Sequence, residues 1–219
     1  MTTPTVAELS TAPLLSSLSR KELEAAAQFF TVRSYAKHAI VATEGDRLDL
    51  FNIILSGTVQ AFWRDAAGHQ LLLGVDGPGD HFPDVILGGE PALVSHIAIA
   101  DLRVASIRLV DLNRLLQRHP QMTLALLMDI VARLRRIIRR TKTLTMEDVY
   151  GRVVNLLLAA SVEMEGKPVS PRLTHAEIGQ RVGATREMVG RVLRELARGG
   201  YIKAERGRIS IVRKLPTRR

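Results

Sequence analysis

One short segment carries the residue types that can read DNA bases. In "ATREMVGRVLREL", Arg186, Glu187, Gly190 and Arg191 stand at helical offsets of 0, 1, 4 and 5. Arginine can donate two hydrogen bonds to guanine O6 and N7, glutamate can accept one from cytosine N4, and glycine lets a helix approach closely. We interpret this face as a reader of base edges rather than as an ordinary solvated face. The opposite side of the same helix is predicted to be core and carries Val189, Val192, Leu193 and Leu196.

The residues on either side of this helix have the pattern of a winged helix-turn-helix. Thr174 and Glu177 match the T-x-x-E capping box that begins a helix. Gly179 and Gly183 are small where the two helices must meet, and Thr185 begins the second helix. "YIKAERGRISIVR" is then typical of two short strands that form a wing.

The basic residues of the chain are concentrated in this region. Residues 150–219 hold 15 Lys plus Arg against 6 Asp plus Glu, whereas residues 1–149 hold 16 of each, so the last third carries the whole net charge of +9. This step in charge predicts a nucleic-acid reader joined to a sensor or scaffold. Contacts to phosphates set affinity but not sequence, and we assign them to Thr174, Arg181, Thr185, Lys203, Arg206 and Arg208.

Composition excludes several other classes of protein. The chain has no cysteine, which rules out disulfides, thiolate-held iron-sulfur clusters, zinc-thiolate sites and cysteine nucleophiles. It also lacks a GxSxG elbow, a Walker loop and an HExxH helix, so we do not expect an enzyme. No apolar run approaches 18 residues, and the first residues do not resemble a signal peptide. We therefore expect a cytoplasmic protein with no membrane partner.

The first half of the chain has the pattern of a small β-domain. Residues 21–30 predict a short helix, and short strands punctuated by "EGD", "LSG" and "GPGD" follow. Strands at this spacing predict a β-barrel or jelly roll over residues 1–120. A helix that ends at "HPQ" should follow these strands, with Asp111 as its N-cap.

A long helix is predicted over residues 121–145, ahead of a third segment at 146–219 that opens with a helix over 149–163. An apolar stripe at 3-4 spacing runs along the long helix, and it is longer than the stretch of helix that could pack on a small barrel. We interpret it as a dimerisation helix; the alternative is a helix packed only on its own domain. The stripe consists of Leu124, Leu127, Val131, Leu134 and Ile138.

This order of elements resembles the superfamily of the cyclic-AMP receptor protein and the fumarate-nitrate regulator, which are bacterial transcription factors. "LTHAEIGQRVGATREMVGRVLREL" is similar to the DNA-binding segment of that family, and "EGD", "LSGTV" and "GPGDHF" are similar to its barrel. The resemblance implies that the R-E-x-x-G-R pattern assigns base recognition to Arg186, Glu187 and Arg191. It also implies a homodimer on a palindrome with TGTGA-like half-sites, and contact with RNA polymerase if the protein is an activator.

The cyclic-nucleotide cassette of the family departs from its pattern here. In the family, a G-E-L-A segment supplies a glutamate for the ribose, and an arginine before Ser or Thr pairs with the phosphate. Here Pro83 replaces the glycine, Asp84 the glutamate and Val94 the arginine. An unpaired buried anion is costly, so we do not expect cyclic AMP to bind in the usual way. The candidate effector pocket comprises Asp84, Val85, Val94, Ser95, Ile137 and Ile138, the last two at the positions that face adenine in the family.

Other effectors stay open. Cyclic di-GMP, which some members of the family bind, would need arginines outside the cassette, such as Arg64, Arg103 or those within residues 133–140. Haem would need His81 or His96, but no pair of histidines has metal-ligand spacing. An apolar ligand, or no ligand, fits the lining of Pro83, Val85, Ile86, Leu87 and Val94. The competing class is a protein-interaction scaffold whose winged helix does not bind DNA.

Overall fold

The computed structural model describes residues 2–65, 68, 70–83, 90–146, 148–164, 167–205 and 207–216, without the side chains of 140–146 and 205. The predicted site residues Asp84, Val85 and Arg206 lie outside these ranges. Two compact units are formed, one by Met1–Trp63 with Leu73–Arg135 and the other by Arg64–Leu72 with Arg136–Arg219. The division of the chain at residues 120 and 145 stays a prediction.

The first unit begins with short helices and not directly with strands. They are α1 (Val6–Leu9), a 3-10 turn (Pro13–Leu15) and α2 (Arg20–Ala27). A capping box between Ser19 and Glu22 begins α2. The helix predicted over residues 21–30 ends earlier than expected, because Phe30 is buried as the first residue of a strand that pairs with Ile107.

Within the described residues, eight strands in two sheets form the β-roll and confirm the jelly-roll prediction. One sheet has the order β1-β8-β3-β6 and the other β2-β7-β4-β5. Four phenylalanines, Phe30, Phe51, Phe62 and Phe82, are almost completely buried within them. The strands are β1 (Phe30–Tyr35), β2 (Ile40–Ala42), β3 (Leu50–Ser56), β4 (Val59–Arg64), β5 (Gln70–Asp76), β6 (His81–Phe82), β7 (Ser95–Ala98) and β8 (Leu102–Arg108).

Helix α3 (Leu109–Arg118) begins three residues before the predicted start. Its N-cap is Arg108, so the prediction that Asp111 caps the helix is wrong. Asp111 is instead a buried residue of the first turn, and its carboxylate accepts hydrogen bonds from Arg108 Nε at 2.8 Å and Arg114 Nη1 at 3.0 Å. The two guanidinium groups compensate the cost of burying this charge.

Helix α4 (Pro120–Met146) is the long helix that the sequence predicts. One side of it packs in the core through Met122 and Leu126. Most of the predicted apolar stripe lies on another side: Leu124, Leu127, Leu134 and Ile138 are each more than half exposed, and Val131 is half-buried. Of the helices in the described part of the chain, none has the length and apolar character needed to cross a membrane.

The second unit contains a winged helix. Its helix α5 (Val149–Ala160) was predicted to reach residue 163 but ends where Ser161 becomes extended and its hydroxyl donates to the Leu157 carbonyl. A strand pair follows α5 and joins the wing in a sheet of order β11-β12-β10-β9. The remaining elements are β9 (Val162–Met164), β10 (Lys167–Val169), α6 (His175–Val182), α7 (Arg186–Arg198), β11 (Ile202–Glu205) and β12 (Arg208–Ile211).

A charged network ties α4 to the β-roll of the first unit. Arg133 Nε lies 2.6 Å from Asp129 Oδ2, and its Nη1 lies 3.2 Å from Asp76 Oδ1 at the end of β5. Its Nη2 donates to the His81 carbonyl at 3.0 Å, and His81 Nε2 lies 3.3 Å from Asp129 Oδ2. The side chains of Arg133 and Asp76 are only 15% and 12% exposed, so little water screens this pair.

We expect Arg133→Met to lower the free energy of unfolding of the first unit by about 3 kcal/mol, because the buried Asp76 carboxylate loses its guanidinium partner. Urea unfolding followed by the fluorescence of Trp63, the single tryptophan, measures it. The exposed Arg135→Met on the same helix is the control and should change the value by less than about 0.5 kcal/mol. Adding Asp76→Asn to Arg133→Met should recover part of the loss; equal effects of Arg133→Met and Arg135→Met would contradict the role of the network.

Candidate nucleic-acid interface

The turn between α6 and α7 depends on two glycines. Gly183 has φ +63° and ψ +51°, a left-handed conformation that glycine adopts without strain. The N–H groups of Gly183 and Ala184 both donate to the Gly179 carbonyl. A Cβ on Gly179 would lie 2.5 Å from the Ala184 carbonyl oxygen, so the turn can pack here only against a glycine. Both glycines therefore have the role that the sequence predicts.

The start of α6 is fixed by the predicted capping box. Thr174 Oγ1 accepts from the Glu177 N–H at 3.2 Å, and Glu177 Oε2 accepts from the Thr174 N–H at 2.6 Å. The backbone hydrogen bond from Thr174 lowers the pKa of Glu177 below its usual value, and the Thr174 side chain and the positive charge of Arg181 lower it further. Glu177 is therefore ionised at neutral pH, where the cap is complete.

Helix α7 separates an apolar face from a charged one. Its N-cap is Thr185, whose hydroxyl accepts from the Met188 N–H. Arg186, Glu187 and Arg191 are all exposed. The four residues predicted to be core, Val189, Val192, Leu193 and Leu196, are buried in one cluster with residues of α5 and α6.

An open depression of about 500 Å³ lies beside the first turn of α7. It is lined by Thr174, His175, Ala176 and Arg186. The fold therefore brings Thr174, the N-cap of α6 and a predicted phosphate contact, next to Arg186, a predicted base reader. Arg186 can donate to an anionic group placed in this depression, since its guanidinium is exposed there.

Gly190 differs from the prediction. It is buried and does not belong to the exposed face, because the His175 ring of α6 covers it. A Cβ at this position would lie 3.4 Å from His175 Nδ1, which is ordinary contact with an exposed side chain. Gly190 therefore lies at the contact between α6 and α7, which helical offsets alone did not reveal, but the space beside it would accept a methyl group.

The wing carries two of the remaining predicted phosphate contacts. Lys203 on β11 and Arg208 on β12 are exposed, and Arg208 Nη1 lies 3.4 Å from Met164 Sδ on β9. Arg181 is exposed near the end of α6. Arg152 of α5, which was not predicted as a site residue, hydrogen-bonds to the Val182 and Gly183 carbonyls of the turn. Only the tertiary fold brings it there.

The described residues of the predicted effector pocket belong to both units. Ser95 begins β7, and its hydroxyl accepts a hydrogen bond from the Glu44 N–H at 3.0 Å, while Val94 is half-buried. These two residues belong to the first unit. Ile137 and Ile138 belong to the second unit and are more than half exposed.

The two histidines considered as haem ligands are buried in aromatic contacts. The His81 ring lies 4.9 Å from that of Phe51, and the His96 ring lies 5.1 Å from that of Phe82. Within the described residues, no group of three or more His, Asp or Glu is placed to hold a metal ion.

Together, the β-roll, the long helix and the winged helix define a DNA-binding regulator with a sensor-type domain. Residues 32–119 match the cyclic nucleotide-binding domain, and residues 151–214 match the Crp-like helix-turn-helix domain.

Two relatives and one solved structure narrow this class. The chain is 30% identical to the cAMP-activated global transcriptional regulator Vfr of Pseudomonas aeruginosa, over 78% of this chain and 84% of that protein. It is 34% identical to a CRP-like cAMP-activated global transcriptional regulator of Mycobacterium tuberculosis, over 77% of each. A structure of a CRP/FNR-family regulator from Thermus thermophilus matches with a TM-score of 0.61 and 26% identity, over 84% of this chain and 94% of that one. The chain therefore belongs to the CRP/FNR family of transcription regulators, which are not enzymes.

We expect Gly179→Ala and Gly190→Ala to shift the stability of the second unit in opposite directions. The first puts a methyl group against the Ala184 backbone and should cost about 1 to 3 kcal/mol. The second replaces a helical glycine beside a side chain that can move, and should gain up to about 1 kcal/mol. Urea unfolding followed by circular dichroism compares the two variants. A loss of similar size in both would show that α6 and α7 do not meet in the way described.

Proposed function

We propose that this protein is a homodimeric transcription regulator that reads a palindrome with TGTGA-like half-sites. The observation that carries the proposal is the exposed face of α7, where Arg186, Glu187 and Arg191 project from a helix whose other face is core. Arginine and glutamate at such a face suit the G·C pairs of a TGTGA half-site. Thr174, Arg181, Thr185, Lys203, Arg206 and Arg208 would hold the phosphates.

The dimer is proposed from the apolar stripe of α4. Leu124, Leu127, Leu134 and Ile138 are more than half exposed in the single chain, and a row of large apolar side chains in water favours association. A second copy of the same helix can cover this row with the same residues. A two-fold dimer would place two copies of α7 on successive half-sites of DNA. As a bacterial DNA-binding regulator it would act in the cytoplasm, and an activator would also contact RNA polymerase.

We further propose that the effector is not cyclic AMP bound in the usual way. The relatives named above are cAMP-activated, so cyclic AMP is the natural alternative. Val94, however, offers no charge to a cyclic phosphate, and the apolar Ile137 and Ile138 offer no hydroxyl to a base. Both changes remove polar partners from an anionic ligand, which raises the cost of taking it out of water.

A larger anionic ligand such as cyclic di-GMP is the second candidate. Arg135, Arg136 and Arg139 are exposed on α4, and Arg64 is exposed on β4. Of the remaining arginines, Arg103 pairs with Glu8 at 3.0 Å and Arg133 belongs to the network with Asp76. An anionic dinucleotide would bind at the exposed group on α4, because three positive side chains lie there within five residues of one helix.

The DNA proposal is tested by Arg186→Ala combined with Arg191→Ala. The operator is first obtained by selecting wild-type binders from random duplexes, and affinity is then measured for the operator and for a random duplex. Each lost base contact is worth about 1 to 3 kcal/mol of discrimination, so the ratio of the two affinities should fall at least roughly tenfold.

Arg20→Ala with Arg118→Ala is the matched control, because it removes the same two charges from exposed helical positions of the first unit. This control should leave the ratio unchanged. Unchanged discrimination by the α7 variant would refute the assignment of the base readers. Wild-type protein that shows no salt-dependent binding to any duplex would instead support the scaffold alternative.

The effector proposal is tested by thermal unfolding with cyclic AMP. A ligand that binds only the native state at 100 times its Kd stabilises it by about 2.7 kcal/mol, so even moderate binding would raise the melting temperature. We expect no rise with cyclic AMP. Cyclic GMP, cyclic di-GMP and haem are measured in parallel, and a concentration-dependent rise with cyclic AMP alone would overturn the proposal.

A further inference from the structure

We propose that Arg152 is a positioning residue for DNA recognition, which acts by holding the turn between α6 and α7. Its guanidinium lies at the end of α6, where Nε donates to the Val182 carbonyl at 2.8 Å and Nη2 to the Gly183 carbonyl at 3.4 Å. This inference rests on the proposed reading role of α7.

The contact is chemically suited to the end of a helix. The last carbonyl groups of an α-helix have no partner within the helix and carry the negative end of its dipole. A guanidinium supplies several N–H donors in a fixed planar arrangement together with a positive charge. One half-buried side chain from α5 thus binds two consecutive carbonyls of the turn.

The place of these carbonyls in the chain gives the contact its directional role. Gly183 is the left-handed residue of the turn, and Thr185, the N-cap of α7, follows two residues later. A rotation of the peptide planes at Val182 or Gly183 would therefore change the direction in which α7 leaves the turn. The apolar face of α7 holds the helix on the core, while Arg152 acts on the backbone that sets its angle.

Arg152 also lies close in sequence to the long helix. It is in the first turn of α5, which begins at Val149 after α4 ends at Met146. The N-cap of α5, Asp148, accepts from the Gly151 N–H at 2.7 Å and fixes this first turn. A displacement of the start of α5 is therefore transmitted by Arg152 to the turn before α7.

The test compares Arg152→Gln, Arg152→Lys and Arg20→Gln in the full-length protein. Arg152→Gln removes the charge and the planar set of donors, Arg152→Lys keeps the charge with a single donor position, and Arg20→Gln removes one charge from an exposed pair with Glu24. Affinity is measured by titration for the selected operator and for a random duplex, over a range of salt concentrations.

We expect Arg152→Gln to weaken operator binding roughly tenfold or more, as the loss of charge-assisted hydrogen bonds would give. Binding to the random duplex should change no more than in Arg20→Gln, and Arg152→Lys should recover part of the operator affinity. Equal losses on both duplexes would make Arg152 an ordinary phosphate contact, and no loss on either would remove its role; both results overturn the inference.

Amide hydrogen exchange on the DNA-free protein separates this inference from the proposed function. The N–H groups of Gly183 and Ala184 donate to the Gly179 carbonyl and therefore report on the turn. Arg152→Gln should accelerate exchange over residues 183–188, while the strands of the first unit keep their rates. Unchanged exchange in the turn would overturn the positioning role even if the wild-type protein binds DNA; wild-type protein that binds no duplex would overturn the proposed function instead, and with it the role of Arg152 in DNA recognition.

Discussion

The proposed DNA-reading face of α7 depends on one close approach, between the Ala184 carbonyl and the backbone of Gly179. Without a Cβ at Gly179 the chain can reverse over the end of α6, and the left-handed Gly183 completes the reversal. Arg186 and Arg191 would be unremarkable on an isolated helix, since exposed arginines are common. Here the turn and the buried apolar face of α7 fix the orientation of the helix, so both arginines lie on its exposed face.

In the first unit, the described ion pairs include one between a helix and a strand. A guanidinium on α4, Arg133, lies within hydrogen-bonding distance of Asp76 and Asp129, so a cation of the helix is balanced by carboxylates of the same unit. Val94, by contrast, is uncharged at the position where the resemblance to the family places an arginine that pairs with the ligand phosphate. Membership of the family does not fix the ligand, because the fold rests on many apolar positions whereas ligand choice rests on a few polar ones.

Local sequence motifs were sufficient to predict the helix-turn-helix of the second unit. The capping box at Thr174 and the left-handed Gly183 affect only residues close to them in the sequence. Their structural effects can therefore be predicted without knowledge of the tertiary fold. Asp111 was misassigned because α3 already begins at Leu109, so the Asp111 carboxylate lies in the first turn and pairs with arginines three residues away on either side. Gly190 was misplaced for a different reason: its neighbour His175 comes from another helix. Sequence periodicity gives the faces of a helix but not what covers each face.

The same distinction explains why the connection that we propose between α4 and α7 is not predicted from the sequence. Along the chain, α4 and α7 are separated by a whole helix, a strand pair and a further helix. In space, Arg152 connects the helix that follows α4 with the turn that precedes α7, because its side chain hydrogen-bonds to the backbone of that turn. An effector can change DNA affinity only if it binds the DNA-competent and DNA-incompetent states with different affinities. A pair of hydrogen bonds to carbonyls is well suited to this, because a small rotation of the peptide planes breaks them.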